Sequence, residues 1–174
     1  GSTLAALSYS PAMSCAIVNS FDLTESLVMY TTCSASTAIP RHQIGGGAAN
    51  GTGTGTLASS TGLSDIVVLP DGNVVVNKGL NMYLLDSDMN TLVAKTASGT
   101  AARLTADNSY NIFYVTSART LRRFNFNTFT DSIIKVFSSG TGVRGLWSAG
   151  NGTTYYLDAT DGLNKTTASG TALW

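Results

Sequence analysis

Three stretches of this chain end in the same tripeptide and pass through the same succession of short apolar runs and polar turns. Residues 64–100 end in Ser98-Gly99-Thr100, residues 102–141 in Ser139-Gly140-Thr141, and the shorter residues 143–171 in Ser169-Gly170-Thr171. Each carries a turn of Asp, Asn or Gly before its second apolar run: Asp71-Gly72-Asn73, Asp107-Asn108 and Gly150-Asn151-Gly152. Residues 4–44 follow the same four-strand rhythm with weaker identity. A unit copied at a period of about 40 residues cannot bury its own faces, so neighbouring copies must stack.

The runs themselves are β-branched and aromatic: Ile66–Leu69, Val74–Val76, Met82–Leu85, Leu92–Ala94, Ile112–Val115, Leu121–Phe126, Ile133–Phe137 and Thr154–Leu157. Gly, Asn, Asp and Ser separate them, which is strand-and-turn chemistry. No long stretch places apolar residues at helical spacing. The expectation is an all-β chain, a small β-propeller of about four four-stranded blades. A β-sandwich or jelly-roll fibre knob is the alternative. The whole of residues 1–174 then forms one repeat-built domain, with units near 4–44, 57–100, 101–141 and 142–174. The Gly-rich stretch 45–56 reads as a flexible connection. Ala172-Leu173-Trp174 repeats Gly145-Leu146-Trp147 and reads as the first strand of a further blade.

Over residues 64–171 the wording of the repeats resembles propeller repeats of the YVTN and NHL type. The strand Asn111-Ile112-Phe113-Tyr114-Val115-Thr116 leads to a second strand, an Asn-Thr turn and a third strand. The matching turns are Asp86–Thr91 and Asn125–Thr130. This resemblance implies a propeller and carries little about activity, because one such fold hosts many functions.

Charged residues make up only 11% of the chain, and ten acids balance ten bases. An average domain carries about 25%. No global field therefore draws the protein to nucleic acid or to an anionic membrane. Ser, Thr, Gly, Ala and Asn solvate the surface instead, a composition associated with extracellular and viral attachment proteins. Charge is uneven, however: Arg103, Arg119, Arg122, Arg123, Lys135 and Arg144 share a stretch whose acids are only Asp107 and Asp131. No apolar run is long enough for a membrane-spanning helix, so membrane insertion is not expected. Gly1-Ser2 reads as a cloning remnant, so the chain is expected to be a piece of a longer protein.

Cys15 and Cys33 are the two cysteines. If Met13–Asn19 and Glu25–Thr31 form a hairpin turning near Asp22–Thr24, Cys15 falls almost opposite Cys33. A cross-strand disulfide is then feasible, and two unrelated buried thiols are equally so.

Catalytic and metal patterns are thin. His42 is the single histidine, and Cys15, Cys33 and His42 sit at no recognised zinc spacing. There is no Gly-x-Ser-x-Gly elbow and no Gly-Lys-Ser/Thr phosphate loop. Asp86-Ser87-Asp88-Met89-Asn90 begins like a calcium loop, but Thr91 and Ala97 stand where Gly and an acid are required, so a hairpin turn is the better reading. Most acids lie in turns, where carboxylates bond their own backbone two residues on. No catalytic residue, cofactor or metal site is expected.

Ligand recognition suits the residue types better. Tyr110, Trp147, Tyr155, Tyr156 and Trp174 are aromatics near turns or strand starts, suited to stacking on sugar rings, and Arg103, Arg122 and Arg144 are nearby cations suited to carboxylate or phosphate. Against this stands packing between blades. The expected function is a non-enzymatic receptor- or glycan-binding head of a viral spike, tail fibre or surface adhesin, at a cell or virion exterior. Its partners would be a host-cell receptor or glycan, with homo-oligomerisation possible. A carbohydrate-active enzyme with converging carboxylates and a structural assembly domain are the rivals.

Overall fold

A computed structural model describes residues 18–25, 28–33, 39–43, 51–52, 63–99, 101–116, 119–137, 143–158, 162–171 and 173. Every regular element among them is a β-strand, in four antiparallel sheets taken in chain order. The first holds β1 (Val18–Leu23), β2 (Val28–Cys33), β3 (Pro40–Gln43) and β4 (Gly51–Thr52). The second holds β5 (Leu63–Val68), β6 (Val74–Lys78), β7 (Asn81–Leu85) and β8 (Thr91–Thr96). The third holds β9 (Ala101–Ala106), β10 (Asn111–Thr116), β11 (Thr120–Asn125) and β12 (Thr130–Val136). The fourth holds β13 (Val143–Ser148), β14 (Thr154–Asp158) and β15 (Gly162–Thr166). Within each sheet the strands lie side by side in sequence order, and the first strands pack in succession, β1 on β5, β5 on β9, β9 on β13.

The apolar runs explain this stacking. Successive side chains of a strand point to opposite faces. Val74 and Val76 of β6 join Tyr30, Ile39, Leu63 and Ile66 in a core between the first and second sheets, while Val75 joins a second core with Leu104, Ile112, Tyr114 and Phe124 between the second and third. On β10, Phe113 and Val115 face the other way, into a third core with Leu121, Phe137 and Tyr156 against the fourth sheet. Central strands buried on both faces therefore read as unbroken apolar runs, Val74-Val75-Val76 and Ile112-Phe113-Tyr114-Val115. At about 1.5–3 kcal/mol for each large side chain removed from water, these three layers dominate the stacking.

One five-residue turn recurs. The first residue's N–H reaches the fifth residue's carbonyl in Leu69–Asn73, Asp86–Asn90, Asp107–Asn111, Ala149–Thr153 and Thr167–Thr171, at 2.8–3.1 Å. The fourth residue is left-handed each time: Gly72, Met89, Tyr110, Gly152 and Gly170, with φ of 83°, 69°, 61°, 82° and 91°. Asp86 is the hairpin-turn acid of the sequence reading: its carboxylate takes the N–H groups of Asp88 and Asn90 at 2.9 and 2.8 Å.

Four expectations need correction. The first hairpin pairs Val18–Leu23 with Val28–Cys33, so Val18 stands opposite Cys33; Cys15 lies outside the described residues. Gly51-Thr52 pairs with Pro40-Arg41 as a short edge strand, so the first sheet runs past residue 44 into the Gly-rich stretch. The third Ser-Gly-Thr is not equivalent to the first. Ser98-Gly99 follows the outer strand β8, whereas Ser169-Gly170-Thr171 is the turn after β15. Beyond that turn Leu173 donates to the Lys165 carbonyl at 3.0 Å, which sets Leu173 beside β15 of the fourth sheet rather than in the first strand of another.

The two end sheets each leave apolar side chains uncovered among the described residues. Register places Trp147, Tyr155, Leu157, Leu163 and Lys165 on one face of the fourth sheet, opposite the face that buries Tyr156, and Trp147 and Leu163 are 59% and 58% exposed. On the first sheet, Phe21 and Leu23 point away from the second, and Phe21 is 61% exposed.

Candidate functional site

Because the first strands of all four sheets pack in succession, their edges converge. They line one open cavity of about 430 Å³ with Ser20, Phe21 and Asp22 of β1, Asp65–Val68 of β5, Arg103–Ala106 of β9 and Arg144–Ser148 of β13. A neighbouring depression of about 470 Å³ is walled by the turns at one end of these strands, including Glu25, Asp71, Gly72, Asp107 and Asn108.

Polar bonds across the sheets hold this wall together. Asp22 accepts from the Val68 N–H at 2.8 Å, Asp65 from the Leu104 N–H at 2.7 Å, and the Thr105 hydroxyl from the Ser148 N–H at 2.9 Å. An inner edge strand has backbone donors with no strand beside them, and a buried donor must find a partner. Each sheet therefore caps the donor of the next. Asp22 and Asp65 also take the N–H groups of Leu23 and Ile66 with their other oxygens, at 2.8 and 3.0 Å. Burial pushes the Asp22 carboxyl above its ordinary value; the two backbone bonds oppose the rise and the Asp65 charge adds to it.

Of the residues singled out in the sequence, Arg103, Arg144 and Trp147 share this cavity. Both arginines are exposed, and neither has a hydrogen-bond or ion-pair partner among the described residues. Trp147 leans on Tyr155, ring centres 5.2 Å apart, and Lys165 covers the far side of Tyr155 at 5.5 Å. This is a cross-strand ladder set by the register Trp147–Tyr155–Lys165.

The other candidates lie elsewhere. Tyr156 is 2% exposed, stacks edge-on with Phe137 at 5.4 Å and accepts from the Lys135 ammonium at 2.7 Å, so it packs between sheets. Tyr110 sits at the left-handed turn position, and its hydroxyl donates to Asp71 of the second sheet, a bond that pushes the phenol above its usual range. Arg122 is half-buried on β11 and pairs with Asp131 at 2.9 Å. Asp131 also accepts from the Tyr114 hydroxyl at 2.8 Å and the Ser98 hydroxyl at 2.7 Å, which joins the second and third sheets. Burial alone would raise the Asp131 carboxyl, but these three donors hold it below its ordinary value. Trp174 lies outside the described residues. The side chains of Cys33 and His42 lie outside them as well; the His42 backbone sits on β3 opposite Met29. Among the described residues no three His, Cys, Asp or Glu side chains gather as metal ligands.

The arrangement of sheets has many relatives among solved structures. A virginiamycin B lyase from Staphylococcus aureus superposes with a TM-score of 0.69 over 89% of this chain and 54% of its own, at 12% identity. A chain of the mitotic checkpoint complex superposes with a TM-score of 0.71 over 90% of this chain and 50% of its own, at 13% identity. The fold is a β-propeller. The chain spans about half the length of these two structures, and at such identities the likeness speaks for architecture alone. No family model matches the sequence, and no curated protein matches it.

Proposed function

We propose that this chain is a non-enzymatic binding module that takes a receptor glycan in the cavity between its inner strands, as an attachment or adhesion domain at a cell or virion exterior. The observation that carries the reading is the convergence of all four inner strands on one open cavity, lined in part by Trp147, whose exposed ring is tilted against Tyr155 on the outer face of the fourth sheet. An aromatic face offers the apolar side of a sugar ring a flat partner, and a ring already braced by Tyr155 loses little freedom on binding. The cavity size suits a small ligand. Asp22 and Asp65 are the carboxylates an acid–base enzyme would use there, yet all four of their oxygens are occupied by backbone donors. That occupation favours adhesion over turnover. A glycan array and a host-cell binding assay test the proposal: saccharide binding that falls about tenfold or more in Trp147→Ala supports it, and no binding at high protein concentration overturns it.

A second reading, an assembly domain, draws on the two uncovered end faces, Phe21 and Leu23 on one side and Trp147, Leu157 and Leu163 on the other. Exposed apolar patches mark association surfaces. Light scattering that shows an obligate oligomer, together with no saccharide binding, would select it.

A further inference from the structure

We infer that the ligand of the inner-strand cavity is an anionic saccharide, whose carboxylate or sulfate group is held by Arg103 and Arg144. This rests on the binding reading above and names its ligand class.

The argument is one of unequal commitment among four charged groups that line the same cavity. Asp22 and Asp65, on the first and second sheets, give every carboxylate oxygen to backbone N–H groups at 2.7–3.0 Å. They are structural, and none of those bonds goes to a guanidinium. Arg103 and Arg144, on the third and fourth sheets, are exposed and bond to nothing among the described residues. Three other arginines are committed, and Arg119, also exposed and without a side-chain partner among the described residues, does not line this cavity. Arg41 reaches Asp88 and the Ser87 carbonyl, Arg122 reaches Asp131, and Arg123 reaches the Ala168 carbonyl at 3.0 Å.

Two unpartnered guanidinium groups on one concave wall offer forks of N–H donors that match the paired oxygens of a carboxylate or sulfate. A sugar ring attached to that group then lies within the same cavity as Trp147. Neutral sugars would keep the aromatic contact and lose the charged one.

The test uses the intact chain and four probe classes: sialylated, uronate-ended and sulfated oligosaccharides, and neutral oligosaccharides of matched length. The expected result is that at least one acidic class binds about tenfold or more tightly than the neutral set. Binding should weaken when salt rises from about 0.05 to about 0.5 M. Arg103→Gln and Arg144→Gln should each cost about tenfold in affinity with unchanged thermal midpoint, since neither arginine braces the fold. The sialylated and uronate arms against the sulfated arm separate carboxylate from sulfate. Binding that depends on Trp147 but is equal for neutral and acidic sugars, or is unmoved in both arginine variants, overturns the inference and leaves the binding module standing. Binding to none of the four classes overturns both.

Discussion

Removing the Asp65 side chain should loosen the grip between the second and third sheets. Asp65 is 7% exposed, accepts the Leu104 N–H across the sheet boundary at 2.7 Å and takes the Ile66 N–H at 3.0 Å. A hydrogen bond to an ionised acceptor contributes about 1.5–3 kcal/mol, and a buried donor left unpaired costs about 1–3 kcal/mol. These overlap rather than add, so Asp65→Ala should lower the unfolding free energy by about 2–4 kcal/mol. Against a total of about 5–15 kcal/mol that is a large loss. Urea unfolding followed by circular dichroism measures it, with the slope in urea unchanged so that only stability has moved. Thr105→Val is the matched comparison. It deletes the neutral acceptor of the Ser148 N–H at 2.9 Å and should cost about 1 kcal/mol. If Asp65→Ala stays within about 0.5 kcal/mol of the parent, the inter-sheet bonds do not hold the wall and the reasoning fails.

Other perturbations follow from single contacts. Gly170→Ala would set a Cβ 2.6 Å from the Ile134 carbonyl oxygen of the neighbouring sheet, at a φ of +91°; a loss of about 2 kcal/mol or more is expected in thermal unfolding. Asp131 has a folded-state pKa below its ordinary 3.8, so its contribution is present above that value and is lost as pH falls through the folded one. Asp131→Asn should therefore flatten the acid limb of a stability–pH curve. Tyr114 is pushed the other way, by burial first and then by its bond to Asp131. Its contribution is present below the ordinary 10.0 and is lost as pH rises through the folded value, so Tyr114→Phe should flatten the alkaline limb.

The repeat and its turns were legible because they depend on local chemistry. Asp71, Asp86 and Asp107 bond the N–H two residues on, at 3.0, 2.9 and 2.8 Å, as turn acids do. Runs such as Val74-Val75-Val76 announced strands covered on both faces. The third Ser-Gly-Thr misled because a short polar turn suits either end of a strand; phase is set by pairing partners far along the chain. Asp22 and Asp65 were hidden among the turn acids, since their decisive partners lie 46 and 39 residues away. Tyr156 and Trp147 illustrate the same limit. Both are aromatics beside strand ends, and only the register shows that one faces the third core and the other faces outward. Arg122 differs from Arg103 by a partner nine residues on, Asp131, brought opposite by the β11–β12 hairpin.

Hydrogen exchange at the amides of Val68, Leu104 and Ser148 tests the stacked-sheet account most directly. Each belongs to an inner edge strand, and among the described residues its N–H is bonded by a side chain of the preceding sheet. Protection comparable to that of Val75 and Phe113 in the central strands is the expected result. Exchange at the rate of an unpaired, solvent-facing strand edge would contradict it.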